Sequence, residues 1–283
     1  MPRGSDEPNS PTDEGGGLSQ RDVAEIEERS RLSTPVIYQI VRSEGEEEMG
    51  RPATSLWWSG VAAGLSISFS LFSQAVLRVH LPDTGWRPLV SSFGYAVGFL
   101  MVVLARQQLF TENTITAVLP LAAQFTLSNL IRLGRVWVIV FFANMTGTLF
   151  AAAFCNFAPV ISPEIRDGML ELSRQMMENS WLVMFFRAIS AGFLIAAMVW
   201  LIPSAEAAQF HVITLMTYLI AVGDFTHIIA GSVEAFLLVV SGQLGVWPMV
   251  ANFTIPVLLG NIVGGTALFA LISYAQVMHE IDH

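Results

Sequence analysis

Six apolar runs dominate the chain, at residues 56–79, 89–104 continuing to 121, 136–158, 181–202, 212–238 and 246–278. A helix of about 20 apolar residues crosses roughly 30 Å of hydrocarbon, so these runs predict an all-α integral membrane protein with six transmembrane helices. Two of the runs are interrupted. The second passes through Arg106-Gln107-Gln108 before resuming at Leu109, and the fifth carries Gly223-Asp224 in its middle. Backbone that leaves a helix at membrane depth must be satisfied by protein or water, so such breaks are expected to line a cavity. A soluble alternative fails on composition: only 13% of the 283 residues are charged, about half the usual share.

Three short matches recur in the same order in each half of the membrane region. Ala63-Gly64 pairs with Ala191-Gly192, Phe110-Thr111-Glu112 with Phe225-Thr226-His227, and Asn144-Met145-Thr146-Gly147 with Asn261-Ile262-Val263-Gly264. Each unit holds three spans, an odd number, so the second enters the membrane from the opposite side. The expected fold is therefore two inverted three-span repeats with broken second and fifth helices. A substrate path is expected where the halves meet.

The net charge of −9 is concentrated in the first 50 residues, where 12 Asp and Glu face 5 Arg. Residues 1–50 read as an acidic, largely disordered tail with one short charged helix at 19–31. Residues 51–160 then form the first membrane repeat, 161–180 a connecting loop and 181–283 the second repeat. No basic surface suits nucleic acid, and the single Cys155 offers no internal disulfide. The tail lacks an apolar signal region. With an even number of spans, the chain is expected to be a multi-pass protein of the cytoplasmic membrane with both termini in the cytoplasm; Arg bias alone hardly decides this.

Leu109-Phe110-Thr111, Phe225-x-His227 and the Asn-x-x-Gly pairs at Asn144 and Asn261 resemble the formate/nitrite transporter family over roughly residues 35–280. The resemblance implies a homopentamer of aquaporin-like protomers that carries a small monovalent anion or its neutral acid without a cofactor or bound metal. It also implies that Thr111 and His227 flank the central pore between two apolar constrictions. Three departures place the chain in a divergent, delta-type branch. Phe225-Thr226-His227 stands for Phe-Glu-His, Gly192 for a pore-side Asn of the fourth span, and no lysine is available as a basic vestibule residue.

The expected pore residues are His227, Thr111, Glu112, Phe110, Phe225, Asp224, Phe93 and Gly192, with Phe99 as a further ring beside a constriction. An imidazole, with an ordinary pKa of about 6.5, can donate a hydrogen bond or a proton to a passing anion, which makes a proton-linked route through His227 the leading mechanism. A carboxylate in the bilayer needs a partner. Glu112 is accordingly expected to lie beside His227, at the duplicate position across the midplane; a plain helix-end cap is its bland alternative. Asp224 is expected to cap the second half of the fifth span. Glu234 is placed in a vestibule or at a subunit contact, with Arg187 as partner to one carboxylate. Asn144, Asn261, Gly147 and Gly264 are expected to give structural support through close helix approach and backbone bonds.

Two other function classes stay open at this point. His279-Glu280-Ile281-Asp282-His283 fits the zinc-protease pattern His-Glu-x-x-His, but it sits on the last five residues and offers no third ligand. An enzyme is therefore not expected. A membrane scaffold or sensor acting through the acidic tail is the other reading.

Overall fold

The structure is a computed structural model and describes residues 32–281. The charged segment 19–31 and the side chains of the C-terminal His-Glu-x-x-His run lie outside the described residues. All regular structure among the described residues is helical. Helices α2 (Ala53–His80), α3 (Arg87–Leu104) and α5 (Leu127–Phe157) are each long and apolar enough to cross a membrane, as is α10 (Val246–Met278). The apolar stretch Trp181–Val222 is long enough for one span and the start of another. It divides into α7 (Trp181–Ala205) and α8 (Gln209–Val222), with Pro203 in its last turn and Glu206 at φ 36°. The fifth span is completed by the shorter α9 (Ile228–Val240), and the second by α4 (Val118–Ala123). Six spans, the second and fifth of them broken, are thus present among the described residues.

The two repeats are inverted. The start of α2 packs toward the N-terminal face, where Arg135 on α5 donates to the Arg51 carbonyl at 2.7 Å. At α7 the order is reversed: Arg187, near its start, and Val199, near its end, line cavities on opposite sides. Within each repeat the first and third spans touch through small residues. A Cβ on Gly64 would clash with the Asn144 carbonyl oxygen, and one on Gly192 would clash with that of Asn261. Gly147 and Gly264 abut Val61 and Ile189 in the same way. The Ala-Gly and Asn-x-x-Gly matches therefore mark true duplicates.

Two segments correct the sequence reading. Thr34–Gly50, assigned to the disordered tail, is a 17-residue helix, α1. Its buried residues Tyr38, Val41, Gly45 and Met49 recur at helical spacing, which the Glu44–Glu48 acidic run had masked. Residues 161–180, expected as a loop, hold the amphipathic helix α6 (Pro163–Met177), capped by Ser162, whose Oγ accepts from Ile165 N–H. Arg78 at the end of α2 grips Glu171 of α6 at 2.8 Å and holds that carboxyl below the ordinary carboxylate range.

Candidate functional site

Both breaks begin with the same turn. After α3, Gln107 N–H reaches back to the Val102 carbonyl at 3.0 Å and Arg106 N–H to Val103 at 3.0 Å; after α8, Phe225 N–H reaches Ile220 at 2.9 Å and Asp224 N–H reaches Ala221 at 3.2 Å. These nested bonds form the Schellman helix ending, which needs one residue in the left-handed region. Arg106 (φ 52°) and Asp224 (φ 51°) occupy that position in place of the usual glycine. Asp224 thus ends the first half of the span rather than capping the second. Its short polar side chain tolerates left-handed backbone, which corrects the expected N-cap role.

The third span of each repeat then staples its break. Asn144 Oδ1 accepts from Phe110 N–H at 2.9 Å, and Nδ2 donates to the carbonyls of Gln108 (2.9 Å) and Gly60 (2.8 Å). Asn261 repeats the set with Ile228 N–H (2.8 Å), Thr226 (3.2 Å) and Ala188 (2.7 Å). The two breaks therefore superpose as Gln108-Leu109-Phe110 on Thr226-His227-Ile228. The Phe-Thr match is out of register by three residues, and His227 corresponds to Leu109, not to Glu112.

His227 is buried and caps α9: Ala230 N–H donates to its Nδ1 at 3.2 Å. The opposite ring nitrogen, Nε2, meets Thr111 Oγ1 at 2.8 Å, and Phe99 lies edge-on to the ring with centroids 5.1 Å apart. Two cavities open near this pair, one lined by His227 itself and the other by Glu112, the chain neighbour of Thr111. The cavity on the α1 side, of about 600 Å³, is lined by Glu112, Gln108, Thr116 and acidic residues of α1. That on the α6 side, of about 480 Å³, is lined by His227, Phe225, Asp224, Glu234 and Arg187.

Glu112 is not beside His227. It turns to the α1-side cavity, because the register of the break gives the inward position to Thr111. Its Oε1 is buried without a hydrogen bond among the described residues. Phe110 lines neither cavity and lies edge-on to Trp137 (5.8 Å) and Phe141 (5.4 Å). Phe93 is half exposed and stacks on Tyr218 at 4.2 Å, lining neither cavity. Gly192 makes the close contact with Asn261 and lines neither cavity. Arg187 shares its cavity with three carboxylates but takes part in no ion pair among the described residues.

Sequence reasoning missed the floor that α1 builds under the first break. Gly45 lies so close to the Thr116 carbonyl that a Cβ there would clash with it. Glu48, three residues on, receives Thr116 Oγ1–H at 2.6 Å and Gln108 Nε2–H at 3.1 Å. Burial holds the Glu48 carboxyl above the ordinary carboxylate range, against the pull of these two bonds. The helical spacing of Tyr38, Val41, Gly45 and Met49 was the available signal.

The family model of the formate/nitrite transporters matches residues 35–275, which take in both breaks and both staples. The chain belongs to the formate/nitrite transporter family. Its similarity to the inner membrane protein YfdC of Escherichia coli is 43% identity over 261 residues, covering 91% of this chain and 83% of that one. The formate channel FocA of Haemophilus influenzae is 25% identical over 241 residues, 76% of this chain and 84% of that one. Two solved structures share the fold. One, described as an FNT family ion channel, aligns with a TM-score of 0.75 at 17% identity over 85% of this chain and 98% of that one. The other, a pentameric formate channel with formate bound, aligns at 0.66 and 20% identity over 80% and 98%. The chain is therefore a membrane channel or transporter of this family, and not an enzyme.

Proposed function

We propose that the chain carries a formate-like small anion or its neutral acid across the cytoplasmic membrane, as a homopentamer with both termini in the cytoplasm. The observation that carries this reading is the buried hydrogen bond that joins Thr111 of the first repeat to His227 of the second, at the wall of the α6-side cavity. It offers a buried polar station beside the Phe99 ring. The formate channels among the relatives and the pentameric neighbour support the substrate class and the assembly. An anion entering this passage uncompensated faces a desolvation cost of several kcal/mol or more (order of magnitude), whereas the neutral acid does not. The test is flux of formate, nitrite, hydrosulfide, acetate and lactate into proteoliposomes from acid to mildly alkaline pH. Uptake of at least one of them, lost in Thr111→Val, is expected; no uptake of any would favour the scaffold reading.

A further inference from the structure

His227 is engaged at both ring nitrogens as a neutral ring. A backbone N–H can only donate, so the bond from Ala230 leaves Nδ1 as an acceptor and puts the ring proton on Nε2, facing Thr111 Oγ1. Protonating Nδ1 would set two N–H groups against each other and uncap α9. Releasing the Nε2 proton would leave an imidazolate. While the cap holds, neither nitrogen is placed to hand a proton to a substrate.

Each cavity, however, holds a carboxyl with no partner committed to it. In the α1-side cavity the charged neighbours of Glu112 are Glu44, Glu47, Glu48, Arg51 and Arg106. Arg106 pairs with Glu44 at 3.2 Å, Arg51 donates to Ser55, and Glu48 is held by Thr116 and Gln108. Glu112 is left with a buried, unbonded Oε1. In the α6-side cavity Glu234 stands among Tyr95, Glu178, Arg187, Asp224 and His227, and takes part in no ion pair among the described residues.

We propose that Glu112 and Glu234, one on each side of the Thr111–His227 pair, exchange the proton with the passing weak acid, while His227 stays neutral and acts as a hydrogen-bonding station. The inference rests on the weak-acid reading above. On the loading side the protonated glutamate gives its proton to the anion, so that A⁻ and Glu–COOH become HA and Glu–COO⁻. The neutral acid passes Thr111. On the far side the second glutamate, as carboxylate, takes the proton and A⁻ leaves. Each glutamate is reset by the water of its own cavity, so one proton and one anion cross together. The acidic lining of the α1 side, four glutamates against two arginines, works against an anion that has not been protonated.

The full chain in liposomes, with radiolabelled formate, an internal pH dye and a membrane potential clamped by potassium and valinomycin, tests this. The expected result is one proton taken up per formate at a rate independent of voltage. Glu112→Gln and Glu234→Gln should each slow uptake about tenfold or more at mildly alkaline pH, yet stay within about twofold of the parent at acid pH, where bulk water supplies the neutral acid. Glu112→Asp, which keeps the proton, should give an intermediate rate, and size-exclusion and thermal unfolding verify that each variant is folded. His227→Asn keeps an acceptor for the cap, and its pH profile should keep the parent's shape at a lower rate. Three results overturn the inference alone: parent-like pH profiles in both Gln variants, voltage-driven uptake without protons, or loss of the acid dependence in His227→Asn only. No uptake of any small acid by the parent protein would instead overturn the function reading and this inference with it.

Discussion

The two breaks share a frame and differ in the chain that continues from it. Each starts from a Schellman ending on a left-handed non-glycine residue, and each is stapled by an asparagine that makes three bonds. Past the staple the second break runs straight into the 13-residue α9, capped by His227. The first instead passes through a series of hydrogen-bonded turns before the six-residue α4. Leu109, at the position of His227, has no side-chain acceptor to start a helix. Its irregular backbone is served from outside: Trp137 Nε1–H reaches the Asn113 carbonyl at 3.0 Å, and Thr266 Oγ1–H reaches that of Thr114 at 2.6 Å. Duplication thus preserved the backbone scaffold while the polar groups on it diverged. Thr111 comes from the irregular half and His227 from the regular one, and their bond exists only because the halves differ.

The equivalence of the frames is most severely tested at the staples. Asn144→Ala and Asn261→Ala each strand one backbone N–H and two carbonyls in the interior, so both should lose on the order of 3 kcal/mol or more, read as thermal unfolding in detergent. A large loss in one variant and none in the other would break the equivalence. The first break is held by the Glu48 carboxylate of α1, whereas α6 meets the second through Met176 beside Gly231 of α9, and the α1 support should depend on pH. The Glu48 carboxyl is raised in the folded state, so the folded form binds the proton more tightly, and docking of α1 weakens as pH rises through the raised value. Hydrogen exchange of residues 34–50 should therefore be slower at acid than at alkaline pH, once the intrinsic exchange rate is divided out, and Glu48→Gln should flatten that difference.

Smaller effects sharpen the contrast between the two starts. His227→Ala should cost about 1 kcal/mol more than His227→Asn in unfolding free energy, because only the asparagine retains a cap for α9; equal losses would mean that the cap contributes nothing. At the left-handed positions, Asp224→Gly should stabilise by about 0.5 to 1 kcal/mol, since glycine carries no Cβ penalty there. A loss of stability instead would mean that the Asp224 carboxylate contributes more to its cavity than its backbone strain costs.

Much of this frame was legible in the sequence. The apolar runs gave the spans, and parity gave the inversion. Asn144 and Asn261 were singled out for support because a buried amide beside Gly147 or Gly264 has few other uses, and each bonds the backbone of its break. The pairing of the breaks was misread, since Phe-Thr occurs twice by coincidence three residues out of register, and only the bonds of the staples fix the true alignment. With the register went the placement of Glu112 and the role given to Asp224. A left-handed helix ending normally announces itself by glycine, and Arg106 and Asp224 give no such sign. The helix at 34–50 was hidden for a different reason: its acidic face is continuous in sequence although its apolar face is continuous in space.

The staples also order events in time. Phe110 precedes Asn144 by 34 positions and Ile228 precedes Asn261 by 33, so in both repeats the break leaves the ribosome before the residue that completes it. Until the third span arrives, the stranded amide and carbonyls of the break have no partner in lipid. A three-span unit is then the smallest piece of this chain that carries a stapled break, with the Thr114 carbonyl of the first repeat still waiting for Thr266 of the second, and biogenesis is expected to advance in two strokes rather than six.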